Sequence, residues 1–155
     1  MRFHYFSTLI LFTTFFGCKK EINPDPDLAG MLEGTYQVKE SVDILNSKVD
    51  TTRLPYLYGK IIIERSKAEP TKIGVSSSVA FTWNGSLVDD TQYNELLKLF
   101  PMPNPQNYIL TVSQKNDTIY FTDNQKTFGK YFGNILIKKV IHSSTWESTL
   151  IATKL

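Results

Sequence analysis

The chain has 155 residues, a length typical of a single domain. Its hydrophobic content of 41% and aromatic content of 13% are those of a globular protein rather than of a disordered or fibrous one. The formal net charge is only +2, from 17 basic and 15 acidic side chains, which argues against nucleic acid as a partner because phosphate-backbone binding needs a strong basic patch.

The N-terminal segment has the layout of a secretory signal. A short start with one Arg precedes an apolar run at residues 5–16, and Gly17 follows the run. The run is shorter than the about 20 apolar residues that a membrane-spanning helix needs. We therefore predict that residues 1–17 are a cleaved signal peptide.

The single cysteine of the chain, Cys18, ends the sequence Phe15-Phe16-Gly17-Cys18. This sequence resembles the lipobox of bacterial lipoproteins, a four-residue site that ends in Gly or Ala followed by Cys. The resemblance implies that the peptide is cut before Cys18, that the sulfur carries a diacylglycerol and that the new amino terminus is acylated. Each buried methylene contributes about 0.8 kcal/mol, so several chains anchor a protein stably. The alternative is that Cys18 only closes a secretory signal or a buried apolar strand.

After the cysteine, residues 19–29 read KKEINPDPDLA, with two prolines, several charges and little to bury. This composition predicts an extended tether of roughly 30 Å, at about 3.3 Å per residue. Lipoproteins of this kind are sorted to the outer membrane unless Asp follows the cysteine, so Lys19 implies the outer membrane, on its periplasmic or its exterior face. The predicted organisation is a signal peptide at 1–17, a lipidated cysteine and tether at 18–29 and a β domain at 30–155.

Alternation of apolar and polar residues begins at Gly34 and predicts a strand. One face of this strand is apolar apart from Glu40 and consists of Tyr36, Val38, Val42 and Ile44. Residues 57–65 include three consecutive isoleucines, which predict a strand that is covered on both sides.

The segment KIGVSSSVAFTWNG, residues 72–85, shows the clearest alternation. One of its faces is apolar apart from Ser77 and consists of Ile73, Val75, Val79, Phe81 and Trp83. Asn84-Gly85 has the residue types that a type I′ turn favours, so we expect a hairpin that continues through Val88.

One helix is predicted in the segment DDTQYNELLKLF. Apolar residues recur there at i, i+3, i+4 and i+7, at Tyr93, Leu96, Leu97 and Phe100. Asp89 can cap the first turn, with Gln92 completing a capping box. The prolines at 101, 103 and 105 end the helix at Phe100.

Further strands follow in NYILTVSQ, TIYFTD, NILIKKVI and TWESTLIATKL, with a turn at residues 115–117 and a loop at 128–133. About seven or eight strands with one short helix predict a mainly β fold, either an antiparallel barrel or a sandwich. Gly34-Thr35-Tyr36 resembles the Gly-x-Trp that opens the first strand of lipocalins. This similarity and the up-and-down series of strands favour a lipocalin-like barrel.

Few side chains are suited to catalysis. Once the signal peptide leaves and Cys18 is acylated, His142 is the one histidine that remains, and we expect a solvated loop residue rather than a member of a triad. Metal sites need about three or four ligands of this kind, so no metal and no other cofactor is expected. Asp89 and Asp90 are explained by capping rather than by a glycosidase pair. The sequence predicts a protein that is not an enzyme.

The residues that interrupt the apolar faces are the candidate binding residues. In a barrel with a cavity, a few polar groups among apolar walls orient a small ligand. The predicted ligand-contacting set is Tyr36, Glu40, Ser77, Phe81 and Trp83. In the alternative interpretation, a bulge or strand end exposes Glu40 to water and Ser77 bonds to a neighbour.

The sequence therefore predicts a cell-envelope lipoprotein that is held to the membrane through Cys18 and whose β domain binds a small amphipathic ligand or a protein partner. The alternative is a structural or assembly lipoprotein that docks onto another envelope protein by a sheet edge or by residues 90–105. A hydrolase that acts through paired acids is a third hypothesis. The consecutive Lys138 and Lys139 face opposite sides of a strand, which allows one of them to point into an interior.

These hypotheses predict different structures. A ligand-binding barrel predicts an interior pocket with Glu40 and Ser77 on its wall. A docking protein predicts a filled core and an exposed apolar patch that involves Tyr93, Phe100 or Met102. A hydrolase predicts two acidic groups that converge in a cleft.

Overall fold

The computed structural model describes residues 26–53, 56–81 and 89–155. The predicted signal peptide, Cys18, most of the tether, Trp83 and the Asn84-Gly85 turn lie outside the described residues.

The described residues form nine strands, two α-helices and one 3₁₀ turn. The strands are β1 (Gly34–Leu45), β2 (Lys48–Arg53), β3 (Leu57–Arg65), β4 (Lys72–Phe81), β5 (Ile109–Lys115), β6 (Thr118–Asp123), β7 (Lys126–Phe132), β8 (Ile135–Ile141) and β9 (Trp146–Lys154). The helices are α1 (Leu28–Leu32) and α2 (Asp90–Leu99), and the 3₁₀ turn is Pro105–Asn107.

Eight of these strands close into an antiparallel barrel. The order around the barrel is β1-β3-β4-β5-β6-β7-β8-β9, and β9 pairs with β1 to complete it. β2 is an additional strand that pairs with residues 40–45 of β1, whereas β3 pairs with residues 34–37. The mainly β prediction is confirmed, and the barrel rather than the sandwich is the architecture; it is compatible with a lipocalin-like fold.

Tight turns connect several neighbouring strands. Asn46-Ser47, Asn124-Gln125 and Gly133-Asn134 have positive φ at both positions, as type I′ turns require. The predicted loop at residues 128–133 is wrong, because most of it belongs to β7 and the chain turns only at Gly133-Asn134. The strand has glycine at position 129 because the ring of Phe121 covers the backbone there. A Cβ atom at this position would lie 2.0 Å from the ring.

A β-bulge at Lys39 decides which residues of β1 face the barrel interior. Val38 lies opposite Ala152 and Glu40 lies opposite Ile151, so Lys39 is an extra residue. An extra residue reverses the inward and outward faces of the strand that follows it. Ser41 is accordingly buried, and the prediction that Glu40 shares the inner face with Tyr36 is wrong.

Helix α1 closes one end of the barrel. Ala29 and Leu32 are buried, and the Tyr36 hydroxyl donates a hydrogen bond to the Leu32 carbonyl oxygen at 2.6 Å. Burial raises the pKa of Tyr36 above its usual range, and the nearby Tyr131 acts in the same direction. Leu28 and Ala29, the last two residues of the predicted tether, belong to this helix.

Helix α2 lies against the outer side of the barrel. Its buried Tyr93 packs on Tyr58 of β3, with ring centroids 4.8 Å apart, and donates to the Ser78 carbonyl oxygen at 3.2 Å. The predicted capping box is confirmed: the Gln92 N–H donates to the Asp89 side chain, and the Asp89 N–H donates to the Gln92 side chain. The predicted end of the helix is also confirmed, because its last residue is Leu99 and the next residue is its C-cap.

The barrel interior divides into two halves. The half next to α1, which we call the closed half, is filled by buried apolar side chains: Leu32, Tyr36, Val38, Ile61, Ile63, Ile73, Val75, Leu110, Ile119, Phe121, Leu136 and Ala152. The other half, which we call the open half, follows further along the same strands. It begins at Ser41 on β1, Ser77 on β4, Lys138 on β8 and Leu150 on β9.

Candidate ligand-binding site

A cavity of about 280 Å³ lies in the open half, at the end of the barrel opposite α1. We call it the mouth cavity. Its apolar walls are Val79, Phe81, Val140, Trp146 and Leu150. Phe81 and Trp146 are 46% and 42% exposed, so both aromatic rings stand at the rim.

The walls face each other because of the strand register. Antiparallel pairing places Lys138 of β8 opposite Leu150 of β9, and Leu150 lies opposite Ser41 of β1 on its other side. Directly opposed residues of neighbouring strands point to the same face of a sheet. All three side chains therefore point into the interior.

Lys138 and Ser77 form a polar pair beneath the mouth cavity. Lys138 is only 7% exposed, and its Nζ donates a hydrogen bond to Ser77 Oγ at 2.6 Å. Burial lowers the pKa of Lys138 to about 8, since removal from water disfavours the charged amine. Among the described residues, Lys138 forms no ion pair with an acidic side chain.

A second polar group lies on the wall formed by β1 and β9. Asp43 accepts hydrogen bonds from Ser41 Oγ, at 2.9 Å, and from Ser148 Oγ. His142 Nε2 lies 2.8 Å from Ser148 Oγ, and the His142 ring stacks on Trp146 with centroids 4.0 Å apart. The two hydroxyl donors satisfy a carboxylate that faces a largely apolar interior.

The order of these groups is not that of a catalytic triad. In a triad the histidine lies between the serine and the acid, so that it can take the serine proton. Here Ser148 lies in the middle and gives its single proton to Asp43, so the His142 ring is the donor to Ser148 Oγ. The arrangement is therefore a hydrogen-bond network with Ser148 at its centre and not a Ser-His-Asp triad.

The predicted binding residues fall in different places. Ser77 and Phe81 line the mouth cavity. Tyr36 points inward but lies in the closed half, with its hydroxyl bound to the backbone of α1. Trp83 lies outside the described residues.

Glu40 does not lie on the cavity wall, and its predicted interior position is wrong. The bulge at Lys39 turns it to the outer face, where its Oε2 lies 2.6 Å from Arg53 Nε of the neighbouring β2. The alternative interpretation is right on both points, because a bulge removes Glu40 from the interior and Ser77 bonds to a neighbour, Lys138.

Sequence reasoning missed Ser41, Asp43 and Ser148. Ser41 and Asp43 were missed because uninterrupted alternation assigns them to the outer face, whereas the bulge at Lys39 turns them inward. A signal for Ser148 was present, since Trp146, Ser148, Leu150 and Ala152 alternate along one face of β9. His142 is exposed, as predicted, but its hydrogen bond to Ser148 was not foreseen.

Among the described residues, two other grooves are larger than the mouth cavity. A larger groove of about 790 Å³ borders α1, but the charge of Arg65 that lines it is paired with Asp27 and Glu33. On α2, Leu99 and Phe100 are each 73% exposed beside a groove of about 320 Å³. Tyr93 also lines this groove, but its side chain is buried against the barrel and contributes almost no exposed apolar surface.

Within the described residues, no group of three or more His, Cys, Asp or Glu side chains is arranged to hold a metal ion. In the same part of the chain, each helix is too short or too polar to cross a bilayer. Comparison with protein-family models, curated proteins and solved structures finds no match to this chain.

Proposed function

We propose that the protein is a lipid-anchored lipoprotein of the cell envelope whose lipocalin-like barrel binds a small amphipathic ligand in the open half. The observation that carries the binding function is the mouth cavity, which has apolar walls and a few polar groups at one end of a barrel whose other end is filled. Small-molecule sites typically combine an apolar lining with a small number of orienting polar groups.

The size of the mouth cavity supports a small ligand. Its volume of about 280 Å³ is close to the lower limit of the roughly 300–1,000 Å³ of typical ligand sites. The exposed rings of Phe81 and Trp146 would lose contact with water when an apolar group lies between them. Burial of apolar surface contributes about 25 cal/mol per Å².

The proposed setting follows from the N-terminus. A diacylglycerol on Cys18 would hold the barrel at the membrane, and Lys19 is the basis for the outer membrane rather than the inner one. Mass spectrometry of the N-terminal peptide from native cells tests this part. A mature chain that begins with acylated Cys18 supports the anchor, whereas a free thiol or a chain that still begins at Met1 contradicts it.

Native mass spectrometry of the protein extracted from its own membrane tests ligand binding. We expect a retained small molecule on the wild type and its loss from Val140→Trp, because the indole would fill the mouth cavity. The matched control is Ile141→Trp, since Ile141 is the adjacent residue on the outer face and is 40% exposed. Equal retention by both variants would contradict binding in the open half.

The second candidate function is docking onto another envelope protein through α2. The specific observation that favours it is the exposure of Leu99 and Phe100 at the end of that helix. The same native preparation separates the two functions. A co-purifying protein that is lost in Phe100→Ser, together with an empty mouth cavity, would favour docking over ligand binding.

A further inference from the structure

Lys138 has an unusual position for a basic side chain. Lysine is almost never buried without a partner of opposite charge, because an ammonium group loses its hydration in the interior. Lys138 is 7% exposed, and burial alone accounts for the lowering of its pKa. The described residues give it a hydroxyl partner, Ser77, but no carboxylate within ion-pair distance.

The hydrogen-bonding capacity of Lys138 is also incompletely used. An ammonium group has three N–H donors, and one of them is directed at Ser77 Oγ. Ser77 lines the mouth cavity, so the amine, which lies 2.6 Å from Ser77 Oγ, is next to the cavity wall. A negatively charged group in the cavity could accept a charge-assisted hydrogen bond from Lys138.

The other titratable side chains near the cavity do not supply that group. Asp43 directs its carboxylate oxygens to Ser41 and Ser148, on the wall formed by β1 and β9. His142 stands at the rim, stacked on Trp146. The inward-facing residues of β3 and β4 that border the open half are uncharged: Leu57, Gly59, Ile61, Ser77, Val79 and Phe81.

From this geometry we infer that the ligand is a small carboxylate with an apolar body, which enters the open half with its carboxylate first and binds Lys138. This inference rests on the proposed ligand-binding function. The apolar body lies between Val79, Val140 and Leu150, and its far end reaches Phe81 and Trp146 at the rim. The small volume favours short or medium chains and single aromatic rings over long-chain lipids.

The test compares three probes of matched length: octanoate, 1-octanol and octylammonium. Calorimetric titrations use the full-length protein in lipid nanodiscs at pH 7, and titrations of empty nanodiscs correct for partition into the bilayer. We expect octanoate to bind the wild type at least tenfold more tightly than octanol and to bind more tightly than the cation. Lys138→Met should abolish the preference for octanoate and leave octanol binding within about twofold.

Lys139→Met is the matched control. Lys139 is the next residue of β8, faces outward and pairs with Glu147 at 2.8 Å. This variant removes the same charge from the protein and should keep the preference for octanoate. Equal loss in both variants would mean that net charge, rather than the buried amine, selects the probe, and would overturn the inference.

The remaining outcomes separate this inference from the proposed function. If octanol or octylammonium binds the wild type as tightly as octanoate, the carboxylate inference fails while ligand binding in the open half stands. The comparison of the three probes uses the wild type alone, so its result does not depend on whether a variant folds. If none of the three probes binds and the native protein carries no small molecule, both the inference and the proposed function fail.

Discussion

The closed and open halves of the barrel interior are built by the same strands but have opposite character. In the closed half the inward residues are apolar, and the hydroxyl of Tyr36 is bound to the backbone of α1. In the open half, hydroxyls, a carboxylate and an amine stand among apolar residues around a cavity. The closed half supplies the core, and the open half can therefore carry polar groups that contribute little to folding.

The largest loss of stability is expected from a substitution in the closed half, and the matching substitution in the open half should cost much less. Phe121→Ala should lower the free energy of unfolding by about 3–5 kcal/mol, since Phe121 is fully buried and leaves a cavity in the closed half. Phe81→Ala should cost less than about 1 kcal/mol, because Phe81 is 46% exposed at the rim. Chemical denaturation measures both values, and similar losses would show that the open half is also part of the stabilising core.

Lys138→Met should instead stabilise the protein at pH 7. Burial lowers the pKa of Lys138 from 10.5 to about 8, so at neutral pH the folded wild type carries the cost of a buried charge. This cost is on the order of 3 kcal/mol. The methionine has a similar length and no charge to bury.

The stabilisation by Lys138→Met should depend on pH in a defined direction. Between about pH 8 and 10.5 the unfolded wild type retains a proton that the folded protein has released, so the stability of the wild type rises with pH in this interval. The advantage of the variant should therefore be full below pH 8 and disappear toward pH 10.5. Denaturation of both proteins across this pH range measures the difference in their free energies of unfolding. A difference that does not change with pH would be evidence against a buried amine.

Tyr36→Phe tests the attachment of α1 to the closed half. The change removes the 2.6 Å hydrogen bond to the Leu32 carbonyl oxygen and leaves that buried acceptor without its donor. We expect a loss of about 1–2 kcal/mol, with no change in ligand binding, because Tyr36 does not line the mouth cavity. A change in octanoate affinity without a change in stability would indicate that Tyr36, in the closed half, also affects ligand binding in the open half.

Glu40→Gln should have the smallest effect. Its partner Arg53 has a side chain that is 70% exposed, and water and salt screen an ion pair at such a surface, so its contribution to stability is small. Because Glu40 faces outward, octanoate binding should not change. A clear loss of octanoate binding would indicate that Glu40 faces the cavity. It would contradict the register of β1 beyond the bulge.

Local patterns predicted the elements whose determinants are local. The strand at residues 57–65 is observed with the same bounds, since three successive isoleucines favour a strand. The capping box at Asp89 was also predictable, because its two hydrogen bonds join residues three apart. The loop predicted at residues 128–133 is wrong, because Gly129 lies in β7, where it accommodates the ring of Phe121 on another strand.

The candidate site was harder to predict because it depends on contacts between distant residues. Ser77 and Lys138 are 61 positions apart, and Asp43 and Ser148 are 105 apart, so they meet only once the barrel has closed in one register. The bulge at Lys39 adds a single residue and thereby exchanges Glu40 for Ser41 on the inner face. The interruption of the apolar face by Glu40 was a signal of the bulge, but the pattern did not locate the extra residue, and the register of distant strands has no signal in it.

The buried amine is tested most directly by the pKa of Lys138 itself, measured by NMR titration of protein labelled with ¹³C at lysine Cε and assigned with Lys138→Met. We expect a pKa of about 8 in the free protein and a higher pKa when octanoate is bound. A pKa near the ordinary value of 10.5 that octanoate does not change would contradict the buried, unpaired amine on which the open half depends.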